Sequence, residues 1–287
     1  MESVPVAVGI PTFGRGLRVV ETLTRLAQCD PPPAEILVHV DRSDGGLERE
    51  LALRFPRIRV LSSFEGVGPG GGRHRCIQAC TQPFFASFDD DSWPIDGDVF
   101  AQMTSLFASE PRAAILAASI FFPGEMVPKR APGATVVTDY TGCGYALRVE
   151  AYRQTAGHID RACAYGVEEV DLAMQLHALD WQILQCDALR VFHDTQLSHH
   201  ASAEVVANTV QNVALRAFLR YPIALWPRAV LQLCNIVWFM LKRRRFAGLA
   251  QGLWGIPGAL RNQSSRRRRL PADKIRSYLN ARARFTS

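Results

Sequence analysis

Pro83-Phe-Phe-Ala-Ser-Phe-Asp-Asp-Asp-Ser-Trp-Pro94 runs from an apolar segment straight into three consecutive carboxylates and a turn-former. A strand over Phe84–Phe88 that carries Asp89, Asp90 and Asp91 to a sheet edge accounts for this pattern. Carboxylates this close repel one another. A chain that keeps three together holds a divalent cation, frames polar ligand groups, or simply turns in solvent. The flanking sequence has to choose.

Upstream, residues 4–10 form a β-branched run closed by Pro11-Thr-Phe-Gly14, after which Leu17, Val20, Leu23, Thr24 and Ala27 recur at helical spacing. The unit repeats. Residues 35–40 lead into Asp41-Arg-Ser-Asp-Gly-Gly46 and a helix near 47–55; residues 58–61 lead into a glycine-rich loop and a helix over 72–81. Strands alternating with helices imply right-handed crossovers and a mainly parallel sheet, with ligand sites at the carboxyl ends of its strands. The four loops should therefore gather on one edge.

Downstream, a helix over 98–109, a strand over 113–122 and a turn-rich loop over 123–132 precede Thr141-Gly-Cys-Gly-Tyr-Ala-Leu-Arg148, where Gly142 and Gly144 let backbone pass close to a neighbour. A helix at about 149–156 follows. Residues 166–181 read as an amphipathic helix with Val170, Met174, His177, Ala178 and Trp181 on one face and Glu168, Glu169 and Asp171 in its first turn. Carboxylates there also suit the helix dipole. Short strands over 183–186 and 189–192 then end at His193.

At 287 residues the chain can bury a full α/β core and carry an appendage, so residues 1–200 are expected as one domain and 201–287 as a helical C-terminal region. Residues 201–287 hold 16 Lys+Arg against 2 Asp+Glu, a charge of +14, while residues 1–200 hold 17 against 25, a charge of −8. Apolar segments at 223–241 and 246–260 stand beside Lys242-Arg-Arg-Arg245 and Arg266-Arg-Arg-Arg269, a pattern that fits helices lying on an anionic membrane. Packing of these helices on the body is the alternative. Nucleic acid is the weaker alternative partner for the basic tail. The seven cysteines are odd in number and contain no Cys-x-x-Cys pair, so neither a disulfide framework nor a zinc site is implied. No cleavable signal is visible at the N-terminus, and the body is expected to be cytoplasmic, peripheral to the inner face of the cell membrane.

Taken in order, these motifs resemble a family 2 inverting glycosyltransferase of the nucleotide-diphospho-sugar transferase (GT-A) fold, closest to its rhamnosyltransferase-like members. The resemblance covers roughly residues 5–195. It rests on Pro11-Thr-Phe-Gly-Arg15, Val40-Asp-Arg-Ser-Asp-Gly-Gly46, Gly70-Gly-Gly-Arg-His-Arg75, Phe88-Asp-Asp-Asp91, Gly142-Cys-Gly-Tyr-Ala-Leu-Arg148 and Glu168-Glu-Val-Asp-Leu172. It implies Mg2+ or Mn2+ held by Asp91, Asp89 and His193, and a UDP-, dTDP- or GDP-linked donor sugar held by Thr12, Arg15, Asp41, Arg73, Asp89 and Asp90. Glu169 stands where the family usually has Asp and is implied as the base that takes the acceptor hydroxyl's proton; Glu168 or Asp171 could serve instead. Trp93, Gly142, Gly144 and Tyr145 fall on the acceptor side, where the two aromatics could stack on a sugar. The acceptor would be a glycan or lipid-linked hydroxyl, in cell-surface polysaccharide or glycolipid synthesis.

Two other classes remain open. Gly66-Val-Gly-Pro-Gly-Gly71 formally satisfies the Gly-x-Gly-x-x-Gly of an NAD-dependent Rossmann enzyme, although in the third strand-loop-helix unit where that fingerprint normally takes the first. A non-catalytic membrane-surface adaptor that kept the fold and lost the chemistry is the other.

Overall fold

Strand β4 (Phe84–Phe88) sits at the middle of the sheet, and everything chemically notable gathers at its carboxyl end. The structure is a computed structural model describing residues 2–161, 167–195 and 202–285; the expected helix start at Gly166 lies outside them. Strand β1 (Val4–Thr12) pairs parallel with β4 on one side and with β2 (Pro33–Asp41) on the other, and β3 (Arg59–Ser63) extends this parallel run. Helices α1 (Gly16–Leu26), α2 (Gly46–Arg54) and α3 (Gly68–Ala79) make the crossovers. From Val6 to Thr12 β1 is buried on both faces, as a strand covered by helices on each side must be.

Beyond β4 the sheet becomes mixed. After β5 (Ser92–Pro94), α4 (Val99–Ser109), β6 (Ala113–Phe121) and β7 (Ala134–Val137), strand β8 (Gly144–Arg148) enters antiparallel between β4 and β6. Its register sets Gly144 opposite Phe88, so Gly142 and Cys143 arrive beside the acidic triplet. Helix α5 (Val149–Arg153) and helix α6 (Glu168–Ala178) follow. The two short strands expected near the end are one, β9 (Gln182–His193), parallel to β6 with a bulge after Cys186 that lets it bend without ending. Its last residues pair with β5, which places His193 opposite Ser92.

The C-terminal region comprises α7 (Ala203–Arg220), a 3-10 turn (Ile223–Leu225), α8 (Trp226–Lys242), α9 (Leu249–Asn262) and α10 (Ala272–Phe285). Chain contacts cross the boundary expected at residue 200. Ile275, Tyr278 and Leu279 of α10 join the same core as Phe85, Tyr145 and Leu172, and the Tyr278 hydroxyl donates to Asp139 (2.8 Å).

Candidate active site

Each aspartate of the triplet has different partners. Asp90 is buried: the Thr12 hydroxyl at the end of β1 donates to its Oδ2 (2.7 Å), and Arg15, just before α1, also bonds its carboxylate. Thr22 of α1 donates to the Asp90 carbonyl (2.9 Å). Burial pushes the Asp90 carboxyl up to about 6, against the opposing pull of Arg15 and Thr12. Asp91 behaves oppositely. Burial would raise it too, but hydrogen bonds from His193 (Nε2 to Oδ1, 3.1 Å) and Arg15 (Nη1 to Oδ2, 2.9 Å) hold it below the ordinary value.

Asp89 turns the other way, to Arg73. This arginine rises from the middle of α3, is only 3% exposed, donates from Nη2 to Asp89 Oδ1 (2.5 Å) and from Nε to the Ser87 hydroxyl (3.1 Å), and lies 3.9 Å from Glu168. Burial favours its neutral form, but Asp89, Glu169 and Glu168 outweigh that and keep the guanidinium charged. One cation thus stands between the acidic turn after β4 and the acidic start of α6. Gly142 closes the arrangement from the side: a Cβ there would fall 2.5 Å from Glu169 Oε1 and 2.9 Å from Arg73 Nη2.

On α6 the three carboxylates divide. Glu168 is 2% exposed, its Oε2 has no hydrogen-bond partner, and burial together with the charge of Glu169 drives its pKa well above the carboxylate range. Glu169 also keeps an unpartnered buried oxygen, and burial raises it against the pull of Arg73. Asp171 is committed elsewhere. Arg220 at the end of α7 grips it with two bonds of 2.7 Å, and the Gln175 amide donates to it at 2.8 Å, so both oxygens are occupied.

The remaining expected residues have other contacts. Asp41 caps α3, accepting from the amides of Val67 (3.0 Å) and Gly68 (2.9 Å) and from Ser63 (3.2 Å). Helix α3 therefore begins at Gly68, inside the stretch expected as a loop, because a carboxylate satisfies its free amides. Its glycines allow close packing: a Cβ at Gly70 would meet the Ile159 carbonyl at 2.8 Å, and one at Gly72 would meet Pro11 at 2.9 Å. This corrects the dinucleotide-loop reading, since Asp41 already occupies the anion position at this helix start. Tyr145 is fully buried, edge-on to Tyr140 and bonded to His158 (3.2 Å), so its ring cannot stack on a sugar. Trp93 packs on Phe192 and under Arg25, a core-edge position. For Tyr145 the cause is general: in a central strand, an aromatic facing inward is covered by the sheet's own helices.

Four supporting residues escaped the sequence reading. Ser87 seats Arg73; Ser92 accepts from the Asp89 amide (2.7 Å) and donates to the Cys143 carbonyl (2.7 Å), fixing the acidic turn to β8. Cys143 and Arg220 are the others, and neither had a local sequence signal. Ligand atoms of Asp89, Cys143 and His193 lie within 4.8 Å of one another. Burial raises the Cys143 thiol, which keeps it protonated, so the hard-cation donors are Asp89, His193 and the His193-bonded Asp91. The donor set fits a divalent cation.

Comparison with curated protein sequences gave no match. Among solved structures, the chain is similar to GalNAc-T7 with UDP, GalNAc and Mn2+ (TM-score 0.58, 13% identity), covering 73% of this chain and 47% of that one. It therefore spans about half the length of that protein. It is similar along 99% of its length to the mannosyltransferase PcManGT from Pyrobaculum calidifontis in complex with GDP-Man and Mn2+ (0.58, 14%, 87% of that chain). TarS 1–349 of S. aureus in complex with UDP-GlcNAc is a third (0.54, 15%, 98% and 92%). At such identities these likenesses establish the GT-A fold. The family model described as Glycosyl transferase family 2 matches residues 7–166, more than half of the sequence, and the chain belongs to that family.

Proposed function

We propose that this protein is a metal-dependent inverting glycosyltransferase that moves a sugar from a nucleotide-diphospho-sugar to a hydroxyl of a glycan or lipid-linked acceptor. The observation that carries this reading is Arg73, which bonds Asp89 of the triplet, lies 3.9 Å from Glu168 and feels the charge of the neighbouring Glu169, and so brings a donor-binding and a proton-accepting group to one place. Thr12, Arg15, Arg73, Asp89 and Asp90 hold the donor, and Asp41 contributes by fixing the start of α3. A divalent cation, Mg2+ or Mn2+, held by Asp89, Asp91 and His193 would neutralise charge growing on the departing diphosphate.

Glu169 is the base. Its carboxylate, one oxygen of which is buried without a hydrogen-bond partner, accepts the acceptor hydroxyl's proton as the hydroxyl oxygen bonds to the anomeric carbon, while the carbon–oxygen bond to the diphosphate breaks on the opposite face, giving inversion. Buried without a partner, the carboxylate is more basic than one in water, which suits this task. Asp171 cannot easily replace it, because Arg220 and Gln175 hold both its oxygens. Rhamnosyltransferase-like specificity, a role in cell-surface polysaccharide or glycolipid synthesis, and a cytoplasmic position at the inner membrane face complete the proposal.

Thermal unfolding with Mn2+ and a panel of UDP-, GDP- and dTDP-sugars tests it. A saturating donor at one hundred times its dissociation constant should stabilise by about 2.7 kcal/mol, and chelation should abolish the shift. No shift with any member of the panel would sink the donor assignment.

A further inference from the structure

We infer that α8 and α9 form a monotopic docking face: α8 lies in the plane of an anionic bilayer with one side immersed and does not cross it. This does not rest on the glycosyltransferase reading. The segment 223–242 is long and apolar enough to cross a membrane by length and composition. Yet its two faces have different fates. Leu233, Ile236, Val237 and Met240 pack on Val206 and Val210 of α7 and on Leu249 and Ile256 of α9. The opposite face leaves Val230, Leu231 and Trp238 about 60% exposed, and Phe246 (61%) and Trp254 of α9 (91%) are exposed too.

Two features choose the occupant. The first is charge at the rim of this face: Lys242 lies over the Trp238 ring (5.4 Å) and Arg243 over Phe239 (5.6 Å), with Arg244 and Arg245 next in sequence. Residues 201–287 carry +14 in total, so a second copy of the chain would be repelled where an anionic leaflet is attracted. The second is the helix beneath. Helix α7 also buries Asn212, Arg216 and Arg220, the Tyr221 hydroxyl donates to Gln232 of α8 (3.0 Å), and Arg267 covers Phe218 (4.3 Å) and Trp226 (5.9 Å). A spanning α8 would have to abandon these contacts, whereas an in-plane one keeps them and buries only its free side.

Co-sedimentation of the full chain with vesicles of phosphatidylcholine, alone or mixed with phosphatidylglycerol, tests this. Binding should require the anionic lipid and weaken with salt. Trp238→Ser with Phe239→Ser and Trp254→Ser should weaken it at least tenfold, and Arg243→Gln with Arg244→Gln and Arg245→Gln on the order of a hundredfold. Circular dichroism confirms that both sets of surface variants fold. A fluorophore on Cys234, which is exposed on α8, should be quenched by shallow and not by deep lipid quenchers, with Cys234→Ser as the labelling control. Three results would each overturn the inference: no anionic-vesicle binding, quenching from the bilayer centre, or a dimer in sedimentation equilibrium that the tryptophan variants dissolve.

Discussion

The two acidic groups that meet at Arg73 are held in opposite ways. In the triplet every carboxylate has a cation or a hydroxyl against it: Arg73 for Asp89, Thr12 and Arg15 for Asp90, Arg15 and His193 for Asp91. On α6, Glu168 and Glu169 keep an unpartnered oxygen each, and only Asp171 is tied down. Compensated carboxylates are a charge reservoir that can exchange one positive partner for another. Buried ones that keep an oxygen without a hydrogen bond are stronger proton acceptors, even with Arg73 nearby. The difference assigns the roles: the triplet manages the charge of the donor, and α6 manages the proton.

The largest expected effect comes from removing the free oxygen. Glu169→Gln should lower turnover roughly 10²- to 10⁴-fold while donor-induced stabilisation persists, and Glu169→Asp should recover much of the loss because the family's usual base is one methylene shorter. The sign of the pH response follows from burial. A raised pKa must be exceeded before the base ionises, so the rate should rise with pH through a limb above the ordinary carboxylate range, and Glu169→Gln should erase that limb. An unchanged limb in this variant would move the base elsewhere.

Next is the anchor. Arg220→Met leaves Asp171 buried and uncompensated, which should cost about 3–5 kcal/mol in urea unfolding, and adding Asp171→Leu should restore most of it. If the double variant is as unstable as the single one, packing at the α6–α7 junction matters more than charge there.

What the sequence disclosed of this comparison is uneven. The strand into Asp89 was legible to the residue, because a buried β4 flanked by Pro83 and three aspartates has sharp chemical edges. The alternation of strands and helices up to β4 was legible for the same reason, but the short β5 was not. Partners far apart in the chain were not: Arg220 sits 49 residues from Asp171 in an otherwise apolar helix end, and nothing local marks it as an ion-pair partner. Nor could sequence show that Asp41 is spent on capping α3, since the capped amides lie 26 and 27 residues away. Strand β7 and helix α10 lacked clear periodicity, and tertiary packing of Tyr278 and Ile275 decides the latter.

Behind the α6 carboxylates, His158 offers a smaller test. It is fully buried, and burial, then the positive charge of Arg73, lowers its pKa to about 3. Because the unfolded chain takes up a proton near pH 6.5 and the folded one does not, stability should fall as pH drops from 6.5 toward 3. At pH 5 the loss should be about 2 kcal/mol. His158→Gln should remove that part of the acid sensitivity, whatever it costs at pH 7; equal pH slopes in both proteins would mean that His158 is charged in the fold.

The smallest effect on stability, and the sharpest on the comparison, belongs to Arg15. Its side chain is half exposed, so screening limits the cost of Arg15→Gln to about 1 kcal/mol or less. Its effect on ligands should be split in sign. If the triplet exchanges positive partners, removing a guanidinium from Asp90 and Asp91 leaves the pocket more negative, and Mn2+ alone should bind more tightly, on the order of fivefold for a change of about 1 kcal/mol. A nucleotide-sugar should bind less tightly, because Arg15 is one of its proposed contacts. Titrating Mn2+ by electron paramagnetic resonance, with and without donor, reads both. Weaker Mn2+ binding in the variant would mean that Arg15 orients Asp91 as a ligand, and the triplet would then be a built metal cradle whose cations support its shape instead of competing for its charge.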